Sequence, residues 1–118
     1  MDSEEELINN AIESYNSQNY YSALENYNKF IELNPDYKEV HYNKGVTFQK
    51  LSKYEESLEA FSKPFELYKN FIISLLGKAL SLSLLNYKEK ALEIYDNIIS
   101  FDKKNCEAYI NKANTLFE

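Results

Sequence analysis

Tyr54-Glu55-Glu56-Ser57-Leu58-Glu59-Ala60-Phe61 is the stretch on which the folding of this 118-residue chain turns. Its Ser57, Leu58 and Phe61 have counterparts 34 residues earlier, at Ala23, Leu24 and Tyr27, and 34 residues later, at Ala91, Leu92 and Tyr95. Working outward, the same step joins Ala11, Gly45, Ala79 and Ala113, and also Leu7, His41, Leu75 and Tyr109. Independent series in one register are hard to produce by chance. A fixed period of this size marks an array of small supersecondary units that bury their apolar faces against one another.

Each unit divides into two helices. In the second, Lys38 to Leu51 precedes a break at Ser52-Lys53, and Tyr54 to Leu67 follows it. In the first, Ala23, Leu24, Tyr27, Phe30 and Ile31 recur at steps of three and four and form one apolar stripe. Asn34-Pro35-Asp36 then ends that helix, because Pro cannot continue the ladder and biases the residue before it away from helical backbone. Small residues stand where two helices approach closely: Ala11 or Gly45 on the first helix, Ala23 or Ala91 on the second. A larger side chain there would push the pair apart.

Composition narrows the function. A chain with 44% hydrophobic residues, two Gly and two Pro reads as one ordered domain. All thirteen cations are Lys, and nineteen acids bring the net charge to −6. That balance argues against a nucleic-acid partner, which needs a cationic stripe, and against an anionic membrane surface. The most apolar stretch, Phe71 to Leu85, is interrupted by Ser74, Gly77, Lys78, Ser81 and Ser83 and is too short to span a bilayer. With an acidic start and the single Cys106, a soluble cytoplasmic protein is the expectation.

No catalytic constellation is visible, so an enzyme is not expected. His41 is the only His, which removes any His-based metal cluster, and its place beside Leu7, Leu75 and Tyr109 reads as helix packing. Cys106 has no His near it in sequence and reads as an incidental thiol. Gly45 and Gly77 are isolated and make no phosphate loop, so no cofactor is expected. Acidic runs such as Glu4-Glu5-Glu6 fit helix beginnings. Tyr20, Tyr27, Phe30, Tyr54, Phe61 and Tyr95 are expected in the core and the inter-helix turns.

Tyr42-Asn43-Lys44-Gly45, Lys53 to Phe61 and Ile31-Glu32-Leu33-Asn34-Pro35 resemble the tetratricopeptide repeat family. The resemblance covers nearly the whole chain. It implies an all-α fold, a right-handed superhelical array of antiparallel helix pairs, with residues 1–118 as a single domain. On that register the repeats are 4–37, 38–71 and 72–105, followed by a half repeat, 106–118. The half repeat is either a capping helix or, given the apolar Leu116 and Phe117 beside the end, part of a longer array. Three departures stand out. Pro64 lies where the family prefers Ala, which predicts a kink or early end of that helix. Lys69 replaces the usual terminal Pro, which suggests a stop signal moved upstream. Tyr87 comes one residue early relative to Tyr20 and Tyr54, which suggests a small shift of the turn.

In the family the first helices line a concave face that holds a protein or peptide ligand. The resemblance carries that face onto Ile8, Asn9, Ile12 and Tyr15; onto Glu39, Tyr42, Asn43, Val46, Gln49 and Lys50; onto Ile73, Leu76, Gly77, Leu80 and Leu84; and onto Glu107, Ile110, Asn111 and Asn114. Asn43 takes the position that often donates to a bound peptide backbone or carboxylate. The clamp that grips chaperone C-terminal tails needs cations and Asn at five positions, which here hold Ile8, Ile12, Asn43, Ile73 and Gly77. Only Asn43 matches, which sets this chain outside that subclass. Instead the helix from Phe71 to Leu85 is apolar nearly all round. Neighbouring repeats cover part of it, and the remainder is left for a partner such as an amphipathic helix, or for further repeats or self-association. The expected function is a scaffold that holds a peptide or helix in an apolar groove; the alternative is a self-assembling module, a homo-oligomer formed by stacking or by exchange of the terminal helix.

Overall fold

The computed structural model describes residues 3–67 and 71–117, the side chains of 65–67 excepted. Those residues form seven helices and no strand: α1 Glu4–Asn16, α2 Tyr20–Leu33, α3 Lys38–Lys50, α4 Tyr54–Leu67, α5 Ile72–Leu84, α6 Lys88–Phe101 and α7 Cys106–Leu116. The odd helices begin at residues 4, 38, 72 and 106 and the even ones at 20, 54 and 88, so the sequence period recurs in the backbone. Each helix packs on the next. In addition α3 reaches α5, and α5 reaches α7, past the intervening helix. The result is a stack of 48 × 25 × 21 Å in which contacts stay between neighbours.

The turns inside the helix pairs repeat one device. Gln18, Ser52 and Asn86, again 34 residues apart, hold left-handed backbone with φ of 63°, 58° and 70°. In each turn the N–H of the following residue reaches back over five residues: Asn19 to the Ser14 carbonyl, Lys53 to Phe48 and Tyr87 to Leu82, each at 2.8 Å. The N–H groups of Gln18, Ser52 and Asn86 bond three residues back, to Tyr15, Gln49 and Ser83. This pairing satisfies carbonyls that a helix end leaves orphaned. The expected shift of the turn at Tyr87 is not found. Asn86 keeps the register, α6 starts at Lys88 and Tyr87 is simply its N-cap.

Small residues meet where helices cross. Ala11, Ala23, Ala79 and Ala91 are fully buried, and Ala11 and Ala23 share one core cluster with Leu7, Tyr27, Phe30 and Val40. A second cluster holds Leu75, Leu76, Ala79, Leu82, Ala91, Tyr95, Ile98 and Ala108. Of the aromatics expected inside, Tyr27, Phe30, Phe61 and Tyr95 are buried, whereas Tyr20 and Tyr54 are half-buried at the starts of their helices. His41 is buried and donates from Nε2 to the Pro35 carbonyl at 2.6 Å, tying α3 to the end of the preceding turn.

Pro64 does not end its helix early. α4 runs on to Leu67 and matches α2 in length, 14 residues each. Pro64 is fully buried and occupies the column of Phe30 and Ile98, both buried, so apolar packing holds the segment helical despite the missing N–H. Lys69, where the stop signal was in question, lies outside the described residues.

A buried polar seam ties the odd helices together. Gln49 of α3 donates to the Gly77 carbonyl at 3.1 Å and to Ser81 Oγ at 2.8 Å, and Ser81 meets Ser57 of α4 at 2.7 Å. Ser83 of α5 lies 3.2 Å from the Thr115 hydroxyl of α7. Each bond contributes only about 1 kcal/mol when made, whereas removing one partner would leave the other unsatisfied at a larger cost, so the seam fixes register more than it adds stability.

Candidate functional site

Helical spacing places Ile12 and Tyr15 of α1 on one face, and Tyr42, Asn43 and Val46 of α3 on another that meets it. With Tyr27 of α2 below them they line a cavity of about 230 Å³. A second cavity, of about 130 Å³, lies between α3, α5 and α7 and is lined by Tyr42, Val46, Gln49, Phe61, Ile73, Leu76, Gly77, Leu80, Glu107 and Asn111. The two share Tyr42 and Val46, so they form one groove along the odd helices.

Nine of the twelve residues singled out from sequence line that groove: Ile12, Tyr15, Tyr42, Asn43, Val46, Ile73, Leu76, Leu80 and Asn111. Ile8, Asn9 and Lys50 line neither cavity. Ile8 is half-buried against the first core cluster, and Asn9 and Lys50 are exposed. Leu76 is itself 6% exposed and serves mainly as core. Sequence reasoning did not assign Tyr27 and Phe61 to the groove, because their place on the even helices reads as core. They are core, and they also form the floor.

The Phe61 floor depends on two glycines. A Cβ at Gly45 would lie 2.5 Å from the Phe61 ring, and one at Gly77 would lie 2.6 Å from it. The ring is wholly buried between α3 and α5. Gly77 interrupts the column of Asn9, Asn43 and Asn111, and Gly45 stands in the column of Ala11, Ala79 and Ala113, so neither column alone displays the slot.

Above the floor, α5 is not buried on all sides. Leu75, Leu76, Ala79 and Leu82 are buried, but Ile73, Leu80 and Leu84 are 45%, 40% and 49% exposed on one stripe. Ile12 across the groove and Ile110 on α7 are exposed as well. Tyr42 stands between these walls, with its ring 5.8 Å from Phe61 and 6.1 Å from Phe71. Burial, then the Glu107 carboxylate, then Tyr15 push its phenol above the ordinary value. Tyr27 is raised by burial and by Tyr15.

The groove holds apolar surface and amide groups rather than reactive ones. Among the described residues no group of three or more His, Cys, Asp or Glu is placed to hold a metal ion. No helix among them is long and apolar enough to cross a membrane.

Comparison with known proteins agrees with this architecture. A family model described as TPR repeat matches residues 13–52, and one for the tetratricopeptide repeat matches 38–71, so together they reach half of the chain. The chain belongs to the tetratricopeptide repeat family. It is 30% identical over 111 residues to the Hsp70-Hsp90 organizing protein of Triticum aestivum, covering 86% of this chain and 19% of that protein. An uncharacterized protein of Methanocaldococcus jannaschii is 37% identical over 59 residues, which cover half of this chain and 69% of that protein. The chain thus spans about a fifth of the wheat relative's length. Among solved structures, the Arabidopsis OM64 TPR domain superposes with a TM-score of 0.86 at 15% identity, over 95% of this chain and 93% of that one. The first TPR domain of Spaghetti (RPAP3), bound to the HSP90 peptide SRMEEVD, does so with 0.84 at 16% identity, over 92% and 89%. At these identities the likeness is one of fold. Such tetratricopeptide relatives include domains solved with HSP70 and HSP90 peptides.

Proposed function

We propose that this tetratricopeptide chain is a non-catalytic, cytoplasmic interaction module that holds a peptide or amphipathic helix of another protein in the groove of α1, α3, α5 and α7. On this reading residues 1–118 act as one domain, with repeats 4–37, 38–71 and 72–105 and the half repeat 106–118. Ile8, Asn9, Ile12, Tyr15, Tyr42, Asn43, Val46, Lys50, Ile73, Leu76, Leu80 and Asn111 form its contact set, the three outside the cavities serving as rim. Nucleic acid and membrane are not among the partners, and no cofactor takes part.

The observation that carries the reading is the exposed apolar stripe of Ile73, Leu80 and Leu84, with Ile12 on α1 and Ile110 on α7 exposed as well. Covering each remaining exposed face contributes about 1 kcal/mol, on the usual figure of 1.5–3 kcal/mol for burying such a side chain completely. Five such faces contribute about 5 kcal/mol, less than the roughly 8 kcal/mol of a micromolar complex, so hydrogen bonds from groups such as Asn43 and Asn111 must add to them. Related domains bind HSP70 and HSP90 peptides, which supports peptide binding as the mode. The acidic-tail version of it is not supported, because Ile8, Ile12, Ile73 and Gly77 occupy clamp positions that require cations or Asn.

Selection from a displayed peptide library on the folded chain tests the proposal. Leucine-rich, helix-forming winners are expected, with affinity at least about tenfold lower for Leu80→Asp and Ile12→Asp while circular dichroism stays unchanged. Winners that resemble SRMEEVD, or binding indifferent to both substitutions, would overturn it.

The second reading, self-assembly, draws on α7. Ala113 is exposed although its counterparts Ala11, Gly45 and Ala79 are buried, and Tyr109, Leu116 and Phe117 beside it are open to solvent. Light scattering at high micromolar concentration decides this: a species of 13.9 kDa throughout excludes it, and a concentration-dependent dimer supports it.

A further inference from the structure

Glu5, Glu39 and Glu107 are the second residues of α1, α3 and α7, and all three are exposed. The same position on α5 is Ile73, which opens the apolar stripe. This column therefore carries three carboxylates interrupted by one hydrocarbon. Among the described residues lining the two cavities, Glu107 is the only charged one. Lys38, beside Glu39 at the start of α3, holds its ammonium 5.1 Å over the Phe71 ring, which meets Tyr42, so a cation stands near the Glu39 end of this edge, whereas Glu107 on α7 follows Cys106 and precedes Ala108.

A carboxylate in the first turn also favours the helix dipole, and that alone explains acid near these helix starts. It does not explain why Glu107, the single first-turn acid of α7, lines the second cavity, nor why Glu39, the single first-turn acid of α3, stands one turn before the cavity residue Tyr42. Nor does it account for the reach of Glu107, whose charge acts on the Tyr42 phenol across the groove.

Resting on the groove reading above, we infer that the partner is a cationic amphipathic segment, with a leucine-type face over Ile73, Leu80 and Leu84 and Lys or Arg side chains meeting Glu39 and Glu107. This reverses the polarity of a site built for acidic tails. α3 and α7 flank α5, so the two carboxylates sit roughly 20 Å apart at ordinary helix spacing of 8–10 Å. Cations about four turns apart on one helix, or six residues apart on an extended peptide, match that distance. The net charge of −6 steers such a partner toward the protein as a whole.

The test compares two fluorescent 18-residue helical peptides with the same leucine face, one with a lysine polar face and one with a glutamate polar face, by anisotropy on the full 118-residue chain. The lysine peptide is expected to bind about tenfold tighter at low salt, an advantage that shrinks as salt rises. It should fall several-fold in Glu39→Gln/Glu107→Gln and stay unchanged in Glu55→Gln/Glu93→Gln, which alters net charge equally away from the groove. Leu80→Asp should weaken both peptides. Equal affinities that are both lost on Leu80→Asp would overturn the charge preference and leave the groove standing. Affinities indifferent to Leu80→Asp would overturn the groove itself. A tighter glutamate peptide, or equal effects of the two double substitutions, would overturn the cationic partner.

Discussion

An alanine at Gly45 would drive its methyl into the Phe61 ring at 2.5 Å, and the ring has no retreat because Gly77 closes on it from α5. Helix propensity favours Gly→Ala by about 1 kcal/mol. Overpacking a filled core costs about 1–3 kcal/mol, and here it wins. Gly45→Ala is expected to lower the melting temperature, and Phe61→Leu on that background should recover part of the loss; a raised melting temperature for the single variant would refute the slot. Titration gives a second expectation. Tyr27 and Tyr42 have phenols raised above the ordinary value by burial first, so the native state holds those protons more tightly than the unfolded chain does. Their stabilisation is complete below the unfolded phenol's pKa near 10 and is lost as pH rises through the higher folded values. Denaturant melts should show stability declining above about pH 10, and tyrosinate absorbance should show a late-ionising pair. Early ionisation of every tyrosine would contradict it. At this scale the sequence was only partly legible. Small residues at crossings could be read from the period, but the Phe61 slot needs two glycines from different columns to converge on one ring, and no single column displays that.

Helix limits were the most legible feature, since a period of 34 fixes every element once one pair is placed. Two expectations drawn from local chemistry, an early end of α4 at Pro64 and a shifted turn at Tyr87, did not hold. Pro64 lies within α4 because its column is buried, and tertiary packing outweighs the lost hydrogen bond there. Tyr87 leaves the turn in register because the left-handed residue, Asn86, sets the turn rather than the aromatic that follows it. That residue makes the element-scale prediction. Ser52 holds a φ of 58°, which costs a side chain other than Gly about 1 kcal/mol, and its side chain is exposed. Ser52→Gly should therefore stabilise by roughly 0.5–1 kcal/mol in denaturant melts. Asn86→Gly should gain less, since Asn tolerates this backbone better. A loss of stability for Ser52→Gly would mean that the turn is held by something other than its backbone bonds.

Over the whole molecule, stacking of the odd helices converts residues far apart in sequence into one trough. Ile12 and Leu80 are 68 positions apart, two periods, and stand on the same columns of the array. The apolar character of α5 was plain in the sequence, and the family resemblance put Ile73, Leu76, Gly77, Leu80 and Leu84 on its open side, of which Leu76 is instead buried. The outcome depends on where α4, α6 and α7 settle, and they leave Ile73, Leu80 and Leu84 uncovered. The Glu107 wall was placed by the family resemblance, whereas its influence on Tyr42 appears only when α3 and α7 are brought to either side of α5. Amide chemical-shift mapping during titration with the leucine-faced lysine peptide tests the central claim most directly. The account predicts shifts concentrated on α1, α3, α5 and α7 around Tyr42, Ile73, Leu80 and Asn111. Shifts confined to α2 and α6, or to the outer face of α7, would contradict it.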